Sequence, residues 1–169
     1  MENLQEQYSC AVLTLSDKGS RGEREDTSGE YLKKTLADAG FILQSYEIIP
    51  DRKEIIIQSL KDLVDKKKIT LIVTTGGTGV SPTDVTPEAM EEVVEKEIPG
   101  MAEAMRAASL LKTNRAMLSR GKVGIRGMSL IINLPGSLKA ARENLEVVLP
   151  VIPHALEKIL GGTSDCGAE

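Results

Sequence analysis

Aromatic side chains are almost absent from this sequence of 169 residues, which contains three Tyr, one Phe and no Trp. Proteins that bind single-stranded nucleic acid stack the bases on such rings, so this class is poorly supported. The formal charge of −4, from 21 basic and 25 acidic residues, provides no electrostatic surface for duplex DNA or for an anionic membrane. We therefore expect neither a nucleic-acid partner nor a membrane partner.

Cysteine and histidine are also scarce. The two cysteines, Cys10 and Cys166, lie at opposite ends of the chain, and His154 is the single histidine. These residues form no disulfide framework and supply no zinc site of nitrogen and sulfur ligands, so any metal would be a hard cation on carboxylates. The N-terminal residues are polar, and no apolar run is long enough to cross a bilayer, so we expect a cytoplasmic protein.

The chain alternates short apolar runs with amphipathic stretches, which is typical of repeated strand–helix units. Strands are predicted over residues 11–15, 42–49, 69–74 and 123–133, the last as one strand or as two around Gly127. Such units predict a three-layer α/β/α fold, with a mostly parallel sheet and helices on both of its faces. We expect a single domain over residues 1–162 and a flexible C-terminal tail over residues 163–169.

Helix starts and loops give further local predictions. Residues 18–25 combine glycine with many charges and are predicted to form a mobile loop. Asp26 begins a stretch with N-cap chemistry for the following helix. Thr86 is predicted to cap a later helix that has Pro87 at its first position.

Polar or glycine-rich residues follow four of the predicted strands. They are Ser16-Asp17, Pro50-Asp51, Gly76 to Gly79, and Pro135-Gly136-Ser137. The carboxyl ends of parallel strands meet at one edge of a sheet, and ligands of open α/β sheets bind there. We therefore expect these four segments to converge on one site.

The loop Gly76-Gly77-Thr78-Gly79 favours an anion site, because glycines let a phosphate approach backbone N–H groups. The alternative is a tight turn that needs positive φ angles. The loop is not a P-loop, since no Gly-Lys-Ser/Thr follows, and Pro82 stands where a dinucleotide fingerprint needs glycine. The loop therefore predicts a phosphate site that differs from both of these motifs.

Asp51 and Asp84 each precede a predicted helix, where an aspartate is most often a cap or a partner of the helix dipole. At a shared edge, however, the two carboxylates could hold a magnesium ion that bridges nucleotide phosphates. The helix N-terminus at Ser137 is either a second anion site or a plain serine cap. Three arginines surround the last strands, Arg115, Arg120 and Arg126, and one of them could face a phosphate, although surface arginines usually have no specific role.

Six short motifs occur in order along the chain: LSD, DTSG, IPD, TTGGTG, DVTPEA and NLPGS. Together they resemble the molybdenum-cofactor biosynthesis family, which includes MogA, MoaB and the G domain of gephyrin, over about residues 11–162. The resemblance implies an α/β/α fold and a homo-oligomer, either a trimer or a hexamer. In MogA-like members it also implies transfer of AMP from ATP to molybdopterin with Mg²⁺, and a downstream molybdenum-insertion enzyme as a partner.

The matched motifs also imply site residues. Asp51 and Asp84 correspond to the aspartates that are required for activity, and we expect them to hold the Mg²⁺. The residues implied for substrate and nucleotide binding are Ser16, Asp17, Asp26, Thr75, Gly76, Gly77, Thr78, Gly79, Pro135, Gly136 and Ser137. Many relatives have arginine directly before the second aspartate, where this chain has Thr83, so a cation that could hold a phosphate is missing.

Two other functions stay open at this stage. One is a non-catalytic molybdopterin-binding or carrier protein of the MoaB type, which Thr83 favours. The other is a trimeric assembly module, comparable to the G domain of gephyrin, with an idle pocket. The adenylyltransferase predicts magnesium-dependent release of pyrophosphate, whereas the carrier predicts binding of molybdopterin without binding of ATP.

Overall fold

The computed structural model describes residues 8–162 of the chain, and its core is one six-stranded sheet. The strands are β1 (Ser9–Leu15), β2 (Ile42–Ile49), β3 (Leu71–Thr75), β4 (Lys96–Glu97), β5 (Val123–Arg126) and β6 (Ser129–Leu134). The α-helices are α1 (Asp17–Ser20), α2 (Thr27–Asp38), α3 (Lys53–Lys61), α4 (Thr86–Val93), α5 (Pro99–Leu110), α6 (Leu138–Val148) and α7 (Ile152–Ile159). A π-helical turn (Asp62–Lys66) extends α3, and 3₁₀ turns lie at Asn114–Leu118 and Leu149–Val151.

The strand order is β2-β1-β3-β6-β5-β4. The first four strands of this order are parallel, whereas β5 and β4 join antiparallel at one edge. Side chains alternate across the buried strand β3, so that Leu71 and Val73 pack into the core on one face and Ile72 packs into the core on the other. Helices cover both faces, which confirms the predicted α/β/α fold with a mostly parallel sheet.

Several local predictions need correction. Residues 18–25 do not form a continuous loop, because Ser16 caps the short helix α1 by accepting a hydrogen bond from Gly19 N at 2.9 Å. Thr86 does not cap α4 but lies inside its first turn, and its buried hydroxyl donates to Gly76 O at 3.0 Å. Of the two alternatives for residues 123–133, the structure confirms two strands that turn at Gly127, where φ is +54°.

The predicted tail over residues 163–169 lies outside the described residues, and the single-domain boundary at residue 162 stays a prediction. Asp26 caps α2 as expected, with Oδ1 accepting from Gly29 N at 2.9 Å. Within residues 8–162, no helix is both long enough and apolar enough to span a bilayer.

Candidate functional site

The four predicted segments do meet at one edge of the sheet, where two cavities lie side by side. The first, of about 300 Å³, contains Asp51 and Asp84 in its wall and is called here the carboxylate cavity. The second, of about 400 Å³, is lined by Arg106 and Arg115 and is called the arginine cavity. Gly77, Asp84 and Gly136 belong to both walls, so the two cavities adjoin there.

The structure brings almost all of the predicted site residues to these walls. The predicted residues on the carboxylate cavity are Ser16, Asp26, Asp51, Thr75, Gly76, Gly77, Asp84, Gly136 and Ser137. Thr78, Gly79 and Pro135 line the arginine cavity instead. Asp17 lines neither cavity and contacts the site through Asp51.

Asp51 is half-buried at the end of β2, where it is held by a reciprocal pair of hydrogen bonds with Asp17. The amide of Asp17 donates to Asp51 Oδ2 at 3.1 Å, and the amide of Asp51 donates to Asp17 Oδ1 at 3.0 Å. Burial raises the pKa of the Asp51 carboxyl above its ordinary value, and the charges of Asp17 and Asp84 raise it further, although the hydrogen bond from Asp17 opposes them. A cation bound here would relieve this repulsion.

Asp84 lies on the loop between β3 and α4 and is held by its own turn. Its Oδ2 accepts from Ser81 N at 2.9 Å and from Ser81 Oγ at 2.8 Å, while its amide donates to Ser81 O at 3.0 Å. As at Asp51, Oδ1 has no hydrogen-bond partner within residues 8–162. One oxygen of each carboxylate is therefore fixed by the protein, and the other is left for a ligand.

The glycine loop lies between the two carboxylates. A Cβ atom at Gly77 would stand 3.3 Å from Asp51 Oδ1, and one at Gly79 would stand 2.7 Å from Asp84 Oδ2. Gly76 and Gly77 have φ angles of +106° and +67°, so the tight-turn interpretation applies as well. At Gly76 a Cβ would also collide with the carbonyl oxygen of Leu15 on β1. Glycine is therefore required for the turn and, at Gly79, for the close approach of the Asp84 carboxylate, whereas at Gly77 the Thr86 hydroxyl is the nearest group.

The loop between β6 and α6 is tied to the glycine loop and to α2. Thr75 Oγ1 donates to Pro135 O at 2.7 Å, and Ser28 Oγ donates to Gly136 O at 2.8 Å. Ser137 caps α6, with Oγ accepting from Ala140 N at 3.3 Å. The N-termini of α2 and α6 thus open on the carboxylate cavity, where their dipoles favour an anion.

Asp26 has a structural part in this wall, because its carboxylate already accepts three hydrogen bonds. Oδ2 accepts from Thr14 Oγ1 and from the Tyr46 hydroxyl, both at 2.6 Å, in addition to the cap bond from Gly29 to Oδ1. Burial, and then the bond to Asp26, raise the pKa of Tyr46 above its ordinary value. The hydroxyl therefore stays protonated and donates.

The donor set fits a magnesium ion that arrives with a nucleotide. Within residues 8–162, no group of three or more His, Cys, Asp or Glu side chains is arranged to hold a metal. Mg²⁺ in nucleotide enzymes usually takes only one or two carboxylates and fills its other positions with phosphate oxygens and water. Asp51 and Asp84, each with a free oxygen beside the glycine loop, match that requirement and not that of a permanently held metal.

The three arginines named from the sequence differ in their contacts. Arg126 pairs with Asp65 at 2.8 Å, outside both cavities. Arg120 binds the loop that contains Asp84. Arg115 is exposed on the arginine cavity, and its guanidinium makes no hydrogen bond within residues 8–162, so it alone fits the expectation of a phosphate ligand.

Sequence reasoning missed part of the arginine cavity, namely Arg106 and Asn144. Arg106 is held by a hydrogen bond from Nη1 to Gly121 O at 2.9 Å, and Asn144 Nδ2 donates to Ser109 Oγ at 3.1 Å. A signal did exist for α5 and its extension. Arg106, Ser109 and Thr113 follow one another at helical spacing and place three polar side chains on one face of α5 and of the residues after it.

Comparison with known proteins shows which proteins this chain is similar to. The family model described as a probable molybdopterin binding domain matches residues 11–154. A molybdopterin adenylyltransferase of Helicobacter pylori is 46% identical over 154 residues, which cover 89% of this chain and 86% of that protein. Gephyrin of Dictyostelium discoideum is 44% identical over 162 residues, which cover 90% of this chain and 22% of gephyrin.

Among solved structures, the molybdopterin biosynthesis enzyme MoaB from Thermus thermophilus superposes with a TM-score of 0.87 at 48% identity. The match covers 94% of this chain and 100% of that chain. The resemblance expected from the six motifs is confirmed, and the chain belongs to the molybdenum cofactor biosynthesis family.

Proposed function

We propose that the protein transfers AMP from ATP to molybdopterin, which gives adenylyl-molybdopterin and pyrophosphate. The observation that supports this most directly is that Asp51 and Asp84 line one cavity beside the glycine loop, with Asp84 also on the wall shared with the second cavity. A substrate in each cavity would bring its phosphate to this shared wall. The molybdopterin adenylyltransferase of Helicobacter pylori, at 46% identity, supports the same reaction.

The reaction needs placement and charge neutralisation more than it needs a protein nucleophile. An oxygen of the terminal phosphate of molybdopterin forms a bond to the α-phosphorus of ATP, and the bond from that phosphorus to the bridging oxygen breaks, so pyrophosphate leaves. Asp51 and Asp84 would hold the Mg²⁺, which supplies neutralisation of the phosphate charge. No cysteine or histidine is required in such a step.

Backbone groups would bind the remaining phosphate charge. The N–H groups of Gly77 and Gly79 donate no hydrogen bond within residues 8–162 and lie beside the two carboxylates. Together with the N-termini of α2 and α6, they offer donors to phosphate oxygens without reorganisation. Arg115 and Arg106 would bind polar or anionic groups of the substrate in the arginine cavity.

We also propose that the protein acts as a homotrimer in the cytoplasm and passes its product to a molybdenum-insertion enzyme. Exposed apolar side chains support self-association, since they concentrate at the end of α5 and in the following 3₁₀ turn. Leu111 and Met117 are 90% and 71% exposed there. Light scattering of the full chain tests the trimer against the hexamer, and Leu111→Lys is expected to reduce the measured mass.

A coupled pyrophosphate-release assay with molybdopterin, ATP and Mg²⁺ tests the proposed reaction. Release is expected only when all three are present, and EDTA is expected to abolish it. Asp38→Asn is a matched control, because Asp38 is an exposed aspartate at the end of α2, away from both cavities. No release of pyrophosphate by the full-length protein would contradict the proposal.

The exposed residue Thr83 favours a second candidate, a carrier that binds molybdopterin without turnover. Threonine offers only a hydroxyl beside Asp84, so ATP would have one cation fewer to bind it. Calorimetry separates the two functions: binding of molybdopterin with no binding of ATP–Mg²⁺ supports the carrier, and binding of both supports the transferase.

A further inference from the structure

Arg120 connects the segment before β5 to the loop between β3 and α4. Its amide donates to Thr78 O at 2.8 Å, Nε donates to Gly79 O at 2.7 Å, and Nη2 donates to Asp84 O at 2.8 Å. Nη1 forms an ion pair with Glu88 on the first turn of α4. One residue thus bonds both ends of the loop that contains the Asp84 turn.

In these contacts the Arg120 guanidinium joins three groups of the protein to one another. An arginine has five N–H donors in a rigid plane, and three of its nitrogen atoms are already directed at the loop and at α4. Bonds from a charged donor to carbonyl oxygens are stronger than neutral ones, so the two carbonyl groups hold their positions. Two of the five N–H donors remain, and Arg120 lines neither of the two cavities that share Asp84.

Glu88 completes the arrangement. The Arg120 guanidinium lowers the pKa of the Glu88 carboxyl below its ordinary value, so the pair stays charged at neutral pH. Glu88 Oε2 is buried and has no hydrogen-bond partner within the described residues. Loss of Arg120 would leave the Glu88 carboxylate without its ion-pair partner.

We propose that Arg120 is a positioning residue: through the carbonyl groups of Gly79 and Asp84 it fixes the loop that presents the Asp84 carboxylate to the phosphates. This inference rests on the proposed function, because a fixed Asp84 matters only if it takes part in phosphate transfer. Arg120 touches no substrate. Its effect on the reaction passes through the geometry of Asp84 alone.

Steady-state kinetics of Arg120→Gln in the pyrophosphate-release assay test this assignment. Loss of the Arg120 contacts is expected to lower kcat about 10- to 100-fold, since a displacement of about 1 Å at a reacting group can reduce the rate by that factor. KM for ATP is expected to change by less than about threefold, because no phosphate contact is removed. Arg120→Lys is expected to recover only part of kcat, since one ammonium cannot bond two carbonyl groups and a carboxylate together.

Arg126→Gln is the matched control. Arg126 makes the same kind of contacts, an ion pair with Asp65 and a bond from Nη1 to Val93 O at 3.2 Å, but it lies outside both cavities. Its kcat is expected to stay that of the unmodified protein. Added methylguanidinium is expected to raise the kcat of Arg120→Ala and to leave that of Arg126→Ala unchanged, which a merely structural role would not predict.

Two further measurements keep the test decisive. If Arg120→Gln folds poorly, Glu88→Gln retains an acceptor for Arg120 and is expected to lower kcat in the same direction by a smaller factor. Hydrogen exchange without substrates is expected to speed up at the hydrogen-bonded amides of Ser81 and Asp84 in Arg120→Gln, and not in Arg126→Gln.

The outcomes separate this inference from the proposed function. Absence of turnover by the unmodified protein would overturn both. Turnover by the unmodified protein, with Arg120→Gln at an unchanged kcat or with equal losses in Arg120→Gln and Arg126→Gln, would overturn the positioning role alone. A raised KM for ATP with an unchanged kcat would make Arg120 a phosphate ligand and would also overturn it.

Discussion

The two candidate catalytic aspartates are held in opposite ways. Asp51 is half-buried at the end of a strand, and Asp17 binds both its amide and its carboxylate. Asp84 lies on a loop whose tip, at Ser81, is exposed, and it is held by that turn and by Arg120. The first region is fixed by the sheet, whereas the second depends on side chains that can be changed without disturbing the sheet.

This difference indicates a division of work within one site. Asp51 is destabilised as an anion by burial and by its acidic neighbours, so it gains most when a cation binds. Asp84 lies on an exposed connection, so its position depends on the Ser81 turn and on Arg120 and not on the sheet. We expect substitutions on the two sides to be distinguishable by pH dependence, by stability and by rate.

Removal of either carboxylate is expected to have the largest effect. Asp51→Asn and Asp84→Asn should each lower kcat by at least about 10²- to 10³-fold, because each removes charge stabilisation at the reacting phosphates. The pyrophosphate-release assay measures this, with Asp38→Asn as the control. Near-normal turnover in either variant would mean that only one of the two regions takes part.

Two alanine substitutions in the glycine loop should separate an effect on stability from an effect on the rate of the reaction. Gly76→Ala is expected to lower the free energy of unfolding by about 2 kcal/mol or more, because φ is positive and its Cβ would meet the Leu15 carbonyl. Gly79→Ala has no positive φ, but its Cβ would stand 2.7 Å from Asp84 Oδ2, so kcat should fall about tenfold with little loss of stability. Denaturant unfolding and kinetics together test this, and equal stability losses in both variants would contradict it.

The pH dependence should distinguish Asp51 from Asp84. Asp17→Asn removes a negative charge that raises the pKa of Asp51, while its side-chain oxygen can still accept from the Asp51 amide. The ionised form of Asp51 then persists to lower pH, so the acid limb of the profile of kcat/KM against pH should move to lower pH. A limb that stays in place, or that moves to higher pH, would show that Asp51 does not set it.

The smallest effect is expected at Thr83. Thr83→Arg places a cation on the exposed loop beside Asp84, where solvent screens it, so KM for ATP should fall by about fivefold at most. The effect should weaken as ionic strength rises. Thr83→Gln, which adds length without charge, is the control, and an equal effect of both substitutions would rule out an electrostatic cause.

The sequence predicts the core of this site well because the pattern there is local. The apolar run of β3 is followed by four residues of which three are glycine. The apolar run predicts the buried strand, and the glycines predict the turn after it. The convergence of four strand ends follows from the parallel sheet, so the part of the carboxylate cavity that those ends form could be named in advance: Ser16, Asp51, Gly76, Gly77, Gly136 and Ser137. The family resemblance added which aspartates to expect as essential.

Other features depend on register and on distant contacts, which the sequence does not reveal. The pairing of Leu15 with Ile49 is what places Asp17 beside Asp51, and no local pattern encodes it. Arg120 bonds residues about 40 positions earlier, so its predicted phosphate contact could not be distinguished from a loop contact. The prediction of Thr86 as an N-cap considers only the helix that follows it. In the structure the Thr86 hydroxyl instead donates a hydrogen bond to the carbonyl oxygen of Gly76, ten residues earlier.

A double-mutant cycle on Asp51 and Asp84 tests the central claim most directly. The claim is that both carboxylates act on one cation and one phosphate transfer, so kcat of the double Asn variant should be about as low as that of the worse single variant. Losses that multiply in the double variant would contradict it, because they would show two carboxylates that act independently.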